Sequence, residues 1–312
     1  MKYIVFGSTI INDLYFADGS SRKGILGGSI YALAGIRPYE EQVVLITKAG
    51  HDFEQYFGGY FDANHLLRDG VNFGLPHSFY TKLVYQPDGR WSESSIYPND
   101  PLNFFDPQYQ VSYDMVLPFC EAGSRGIYSE SSYTDPFWNH LQEIREAAPD
   151  VKIMWELFTQ EANDPSCRSS LLDLMTKVDI YSLNLPESLA FFSVTNESEA
   201  INKIKALEKP CFYRVGEKGA YFIQNGQAWF APSYGVETSV DPTGCGNCST
   251  AAALYGFAEG FHPLKTALAA GLAAGLNAQQ FGPFPKFTAD IKQDLLDQVE
   301  REFERLKEVS CF

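Results

Sequence analysis

The sequence predicts an α/β domain built on a mainly parallel sheet. Two observations carry that prediction. Short, nearly continuous apolar runs recur along the chain, as expected of strands buried on both faces, and most segments between them are long enough for a crossover helix. Near the C-terminus a strand-like lead-in meets a Gly-x-Gly turn, Gly244-Cys245-Gly246, and a small-residue run from Ser249 to Leu254 reads as the helix that follows.

The strands expected from the apolar runs are Tyr3–Phe6, Val43–Thr47, Met115–Pro118, Val151–Trp155, Asp179–Leu183 and Cys211–Val215. A hairpin is expected from Ala220–Ile223 and Ala228–Phe230, because Asn225-Gly226 between them favours a tight turn. The Ala/Gly-rich stretch Ala267–Gln279 reads as a helix packed closely on the sheet. Ile291, Leu295, Leu296, Val299, Phe303 and Leu306 form one apolar stripe on a terminal helix. Two regions break this rhythm. Asn12–Lys23 is polar, and Ser78–Tyr97 holds an alternating run, Phe79–Tyr85, before the turn sequence Pro87-Asp88-Gly89. A small β-structure projecting from the main sheet accounts for both. No linker or internal repeat appears, so residues 1–312 are expected to form a single domain, with lid segments at about 12–26 and 78–100.

Composition narrows the function. A net charge of −15, with no basic stripe, argues against nucleic-acid and membrane-surface partners. No apolar run approaches the ~18–20 residues of a membrane span. The first residues, Met1–Gly7, read as a buried strand rather than a signal peptide. Six scattered cysteines fit a reduced cytoplasmic protein. Cys245-x-x-Cys248 has redox-motif spacing, but no second Cys/His pair accompanies it, so packing of a tight turn is the expected role. P-loop, dinucleotide-binding, His-Glu-x-x-His and Gly-x-Ser-x-Gly motifs are all missing. The Gly-x-Gly turn itself suits an anion, most often phosphate, because the first amides of a helix lack intrahelical partners.

The segment Asp241-Pro242-Thr243-Gly244-Cys245-Gly246-Asn247 resembles the signature of the PfkB (ribokinase-like) carbohydrate kinases, whose usual form is Asp-Thr-x-Gly-Ala-Gly-Asp. Gly27-Gly28 followed by Ala34 is similar to that family's sugar-site glycines. Gly50-x-Asp52, Asn184-Leu185-Pro186-Glu187 and Gly216-Glu217-Lys218-Gly219-Ala220 resemble three further segments, and all five occur in the family's order.

The resemblance implies a three-layer α/β/α sandwich with a small β lid, and ATP-dependent phosphotransfer to a hydroxyl of a small sugar-like or nucleoside-like substrate. It implies that Gly244, Cys245, Gly246 and Asn247 form the catalytic turn, and that Asp13, Gly27, Gly28 and Asp52 serve the substrate side. For Asp13, capping of a loop is an equal alternative. Asn184, Glu187, Arg214, Gly216, Gly219 and Asp241 fall on the nucleotide side. Glu187 is the expected Mg²⁺ residue, acting through water, with a helix-start acid as the other role for it. A monovalent cation near Asp241 and a homodimer through the lid complete the implied set.

Four departures stand out. Asn247 replaces the family's aspartate base, Ala32 a sugar-contacting asparagine, Arg214 a threonine, and Glu156-Leu157-Phe158 an Asp-x-Asn segment. Asn cannot accept a proton near neutral pH, so a slow kinase and a non-catalytic nucleotide- or sugar-binding protein are both open. Asp52 and Asp13 are the substitute bases to look for.

Overall fold

The computed structural model describes residues 1–87, 91–97, 99, 106 and 109–311. Seven parallel strands run side by side in the order β5 (Val71–Asn72), β4 (Val43–Lys48), β1 (Tyr3–Phe6), β8 (Gly126–Glu130), β9 (Lys152–Glu156), β10 (Ile180–Asn184) and β11 (Cys211–Arg214). The antiparallel hairpin β12 (Gly219–Gln224) and β13 (Gln227–Pro232) completes a nine-stranded sheet. Its turn places Asn225 and Gly226 at φ of 52° and 75°, the left-handed geometry that Asn-Gly supplies.

Alternation along the strands builds the layers. Tyr3 and Val5 belong to one core, Ile4 and Phe6 to the other. The first core is covered by helices 30–36, 53–63, 245–258, 263–277 and 289–306, the second by helices 141–147, 168–177, 185–192 and 197–206. The terminal stripe behaves as expected: Leu295 and Val299 are buried, and Ile291, Leu296, Phe303 and Leu306 pack partly buried against the same core.

A second sheet forms the lid, in the order β3 (Ser21–Gly28), β2 (Thr9–Tyr15), β6 (Phe79–Tyr85) and β7 (Trp91–Ser95). The expected polar projection at residues 12–23 is therefore most of a hairpin, β2–β3, that extends outward from β1. Of the turn expected at Pro87-Asp88-Gly89, residues 88 and 89 lie outside the described residues. The lid meets the body through Tyr85 Oη and Thr243 Oγ1 at 3.2 Å and through Phe16 and Arg22 against Phe281.

One expected strand is not a strand. Met115–Pro118 spans a short helix, Tyr113–Val116, and a 3₁₀ turn, Leu117–Phe119. Pro118 has no amide to give a sheet ladder, and four apolar residues do not by themselves distinguish a strand period from a helical one. The strand beside β1 is instead Gly126–Glu130, whose polar end residues disguise it.

Candidate active site

A cleft of about 740 Å³ opens at the C-terminal ends of β1 and β8, between body and lid. The chain leaves β1 toward β4 on one side and returns as β8 on the other, so this is the switch point of the sheet, where α/β folds bind ligands. Gly7 and Glu130 come from the strand ends, Asn12, Gly28 and Tyr85 from the lid, and Gly244 and Asn247 from the Gly-x-Gly turn.

The turn is fixed by sterics. Gly244 caps helix Cys245–Ala258 at φ 76°, and a Cβ there would fall 2.1 Å from the Tyr31 ring. Asp241 holds the turn through Oδ1, which accepts from the Thr243 amide at 3.0 Å and hydroxyl at 2.6 Å. Its Oδ2 is buried without a partner. Cys245 and Cys248 donate to the carbonyls of Ala274 and Ala273, and burial pushes both thiols up. Both are free thiols packed against the neighbouring helix.

Asn247 turns its amide toward β8. Nδ2 donates to Glu130 Oε2 at 2.8 Å and to Tyr128 Oη at 3.0 Å. Tyr128 in turn donates to Glu156 Oε2 at 2.6 Å, and Arg214 Nη1 pairs with Glu156 Oε1 at 2.7 Å. Arg214 also lies 3.8 Å from Glu187 Oε2, an ion pair too long for a hydrogen bond. Three of the four departures, Asn247, Glu156 and Arg214, are thus links of one chain of contacts. The fourth, Ala32, is fully buried in helix Ile30–Ile36 and packs the core.

Strand register explains the convergence. Glu130 and Glu156 are direct partners on adjacent parallel strands, and Arg214 partners Asn184 at the same edge. Burial pushes the Glu130 carboxyl up to about 8, and the Glu156 charge adds to the rise; the Asn247 hydrogen bond and the Arg214 guanidinium pull the other way. Asp135, also on the cleft wall, is pushed up to about 6 by burial.

Asn184 and Glu187 form a capping box at the start of helix Leu185–Phe192. Glu187 accepts from the Asn184 amide and side chain, both at 2.7 Å, and from the Thr159 hydroxyl at 2.7 Å. With both oxygens taken and Arg214 beside them, Glu187 does not fit a direct metal ligand. Among the described residues no cluster of His, Cys, Asp and Glu suits a metal ion. Arg214 Nη1 would lie 2.5 Å from a Cβ on Gly246, and Arg214 Nε is buried with no acceptor.

The remaining expected residues sit nearby but elsewhere. Asp13 ties the lid together, accepting from the Gly24 amide and the Tyr80 hydroxyl. Asp52 anchors the start of β6 by accepting from the amide and hydroxyl of Ser78. Neither is among the residues lining the cleft that holds Asn247. Gly28 lines it, and a Cβ on Gly28 would meet the Ser8 carbonyl at 2.2 Å, while Gly27 lies against Asn12. Gly216 and Gly219 shape the turn between β11 and β12, at the end of the strand that carries Arg214. Glu130 and Tyr128 escaped sequence reasoning because their strand did.

The family model for the pfkB family carbohydrate kinases matches residues 129–286. The chain belongs to that family. Among solved structures, adenosine kinase from Sinorhizobium meliloti is 19% identical at a TM-score of 0.73, over 95% of this chain and 99% of that one. A nucleoside kinase from Burkholderia thailandensis, solved in complex with inosine, is 15% identical at 0.73, over 97% and 98%. An E. coli protein assigned as a ribokinase II, in complex with ATP and Mg²⁺, is 17% identical at 0.72, over 95% and 99%. At such identities the likeness is one of fold. No curated protein matches the sequence. Among the described residues no helix is long and apolar enough to cross a membrane.

The Arg214–Glu156 pair generates a stability prediction. Arg214→Met leaves Glu156 buried beside Glu130 without its cation, a loss of about 3–5 kcal/mol at pH 7. The double variant Arg214→Met/Glu156→Gln should recover most of the loss. Urea unfolding of the three proteins at pH 7 is the measurement; an undiminished deficit in the double variant would show that the pair is not what holds Arg214.

Proposed function

We propose that the chain transfers the terminal phosphoryl group of ATP to a hydroxyl of a small, uncharged, sugar-like or nucleoside-like substrate bound in this cleft. The observation that carries the proposal is that the Gly244–Asn247 turn and the lid strands open on one and the same cavity. The helix-start amides suit the transferring phosphoryl oxygens, and the lid supplies Asn12 and the close-packed Gly28 for a hydroxylated acceptor. Family membership supports this chemistry, as does the fold shared with nucleoside and adenosine kinases.

Each part of the chain has a task in such a transfer. The turn holds the phosphates in line with the acceptor, which is most of what a loose transition state requires, and Arg214 braces the turn from behind Gly246. Mg²⁺, arriving with the nucleotide and held by phosphates and water, would neutralise charge on the phosphoryl oxygens. Asp241 Oδ2, buried and unpartnered, is the atom that suits the monovalent cation implied by the resemblance. The Tyr85–Thr243 contact closes the lid against the turn and keeps water from the phosphoryl group.

A second use of the same site, nucleotide or sugar binding without turnover, is favoured by Asn247, which takes no proton. Calorimetry with ATP and ADP, run beside single-turnover phosphate transfer, separates the two. Binding without transfer to any acceptor would leave the binding protein.

The wall chemistry predicts acceptor choice. Among the described lining residues Glu93, Glu130 and Asp135 are acidic and none is Lys or Arg. Above pH 8, where Glu130 and Asp135 are both ionised, a phosphorylated sugar should therefore bind at least about tenfold more weakly than the same sugar without phosphate, because like charges face each other in a confined site. Competition binding with such a pair checks it; equal affinities would remove the charge argument.

The lid makes a further prediction. Leu83 and Tyr85 line the cleft from β6. Amide exchange across residues 79–85 should slow when nucleotide and acceptor are both saturating. Unchanged exchange would count against closure over the substrate.

A further inference from the structure

We propose that Glu130 is the proton acceptor for the substrate hydroxyl, with Asn247 as the residue that positions it. This rests on the phosphotransfer reading above and assigns a base to it. Glu130 stands at the C-terminal tip of β8 and lines the cleft together with Gly244 and Asn247. Its Oε2 accepts from Asn247 Nδ2 at 2.8 Å, so a carboxylate lies within one hydrogen bond of the position where the family places its aspartate. Asp13 and Asp52 are engaged in lid contacts and do not line the cleft.

The step balances without further reactants. The acceptor O–H proton passes to a Glu130 carboxylate oxygen as the hydroxyl oxygen forms a bond to the terminal phosphorus. The bond from that phosphorus to the bridging oxygen breaks, and its electron pair leaves on the nucleoside diphosphate. Asn247, which cannot take the proton, fixes one carboxylate oxygen of Glu130.

The groups facing Glu130 set its proton affinity. Glu156 from β9 and Glu187 from helix Leu185–Phe192 raise it, Arg214 from β11 and the Asn247 hydrogen bond lower it, and Tyr128 lies beside it on β8. Burial keeps the carboxyl high, near 8, close to the operating pH where a general base works best. The deprotonated form does the work, so transfer should rise with pH through that range. Folding moves the opposite way. A carboxyl raised in the folded state favours folding most at low pH, and that contribution is lost as pH climbs from the ordinary Glu range toward 8.

The test uses Mg-ATP with D-ribose, adenosine and inosine as acceptors, in single turnover from pH 5 to 9. Wild type should show a rising alkaline limb. Glu130→Gln should lose at least about 100-fold in rate at saturating acceptor, and lose the limb, with ATP affinity unchanged. Asn247→Ala should keep the limb but move it to higher pH, because the hydrogen bond that lowers Glu130 is gone. Transfer by Glu130→Gln within tenfold of wild type, or a wild-type profile flat across the range, overturns the base assignment and leaves phosphotransfer standing. A loss confined to acceptor KM, with the limb retained, also overturns it and makes Glu130 a hydroxyl ligand. Wild type that transfers to no acceptor overturns phosphotransfer and the base together. Should Glu130→Gln fold poorly, the wild-type and Asn247→Ala profiles still decide.

Discussion

Two glutamates stand side by side at the C-terminal edge of the sheet, one of them lining the cleft, and the site is arranged around them. Glu130 and Glu156 are register partners on neighbouring parallel strands. Like charges placed so are destabilising even on an open sheet, and more so where protein replaces water. The surrounding groups are the remedy. Arg214 takes one oxygen of Glu156, Tyr128 the other, and Asn247 donates to Glu130. An aspartate at 247 would add a further carboxylate to this edge, whereas asparagine brings a donor. The residue that breaks the family signature is therefore the one the local charge requires.

Magnitudes show which element controls the potential here. A helix N-terminus contributes roughly 0.3–1 kcal/mol toward a nearby negative charge. Breaking a buried ion pair costs about 3–5 kcal/mol. Arg214, more than the helix start, thus decides how much negative charge the edge tolerates. It is also the cation beside Gly246, so it links the acid pair to the helix start.

Much of this was legible in the chain. The β1 and β11 runs, the Asn-Gly hairpin, the terminal stripe and the Gly244–Asn247 helix start all follow from apolar period, turn chemistry and backbone sterics, which are local. The site's charges were less accessible. Arg214, Glu156 and Asn247 could each be seen as departures, yet nothing local says they touch, because register between strands is a property of the assembled sheet. Glu130 stayed hidden for a further reason. Its strand begins with glycine and ends in Ser129 and Glu130, while the more apolar Met115–Pro118 beside it in sequence is stopped by a proline. Asp13 and Asp52 showed the converse: acids in suggestive places whose donors, Gly24, Tyr80 and Ser78, belong to the lid's own framework.

Loss of an aspartate at the helix start need not cost the fold its chemistry. Positioning and preorganised donors supply most of the barrier reduction in phosphoryl transfer, and the turn that supplies them is set by Gly244 packing on Tyr31, independent of residue 247. A base adds ~10²–10⁴-fold on top of that. The proton can go to any carboxylate that shares the acceptor's side of the cleft. In this chain β8 offers one, a single hydrogen bond away, raised by burial and by its neighbour Glu156 into the range where it can exchange protons near neutral pH. The acid pair that makes an aspartate at 247 unwelcome is thus also what lifts Glu130 into working range, so one constraint removes the usual base and prepares its replacement.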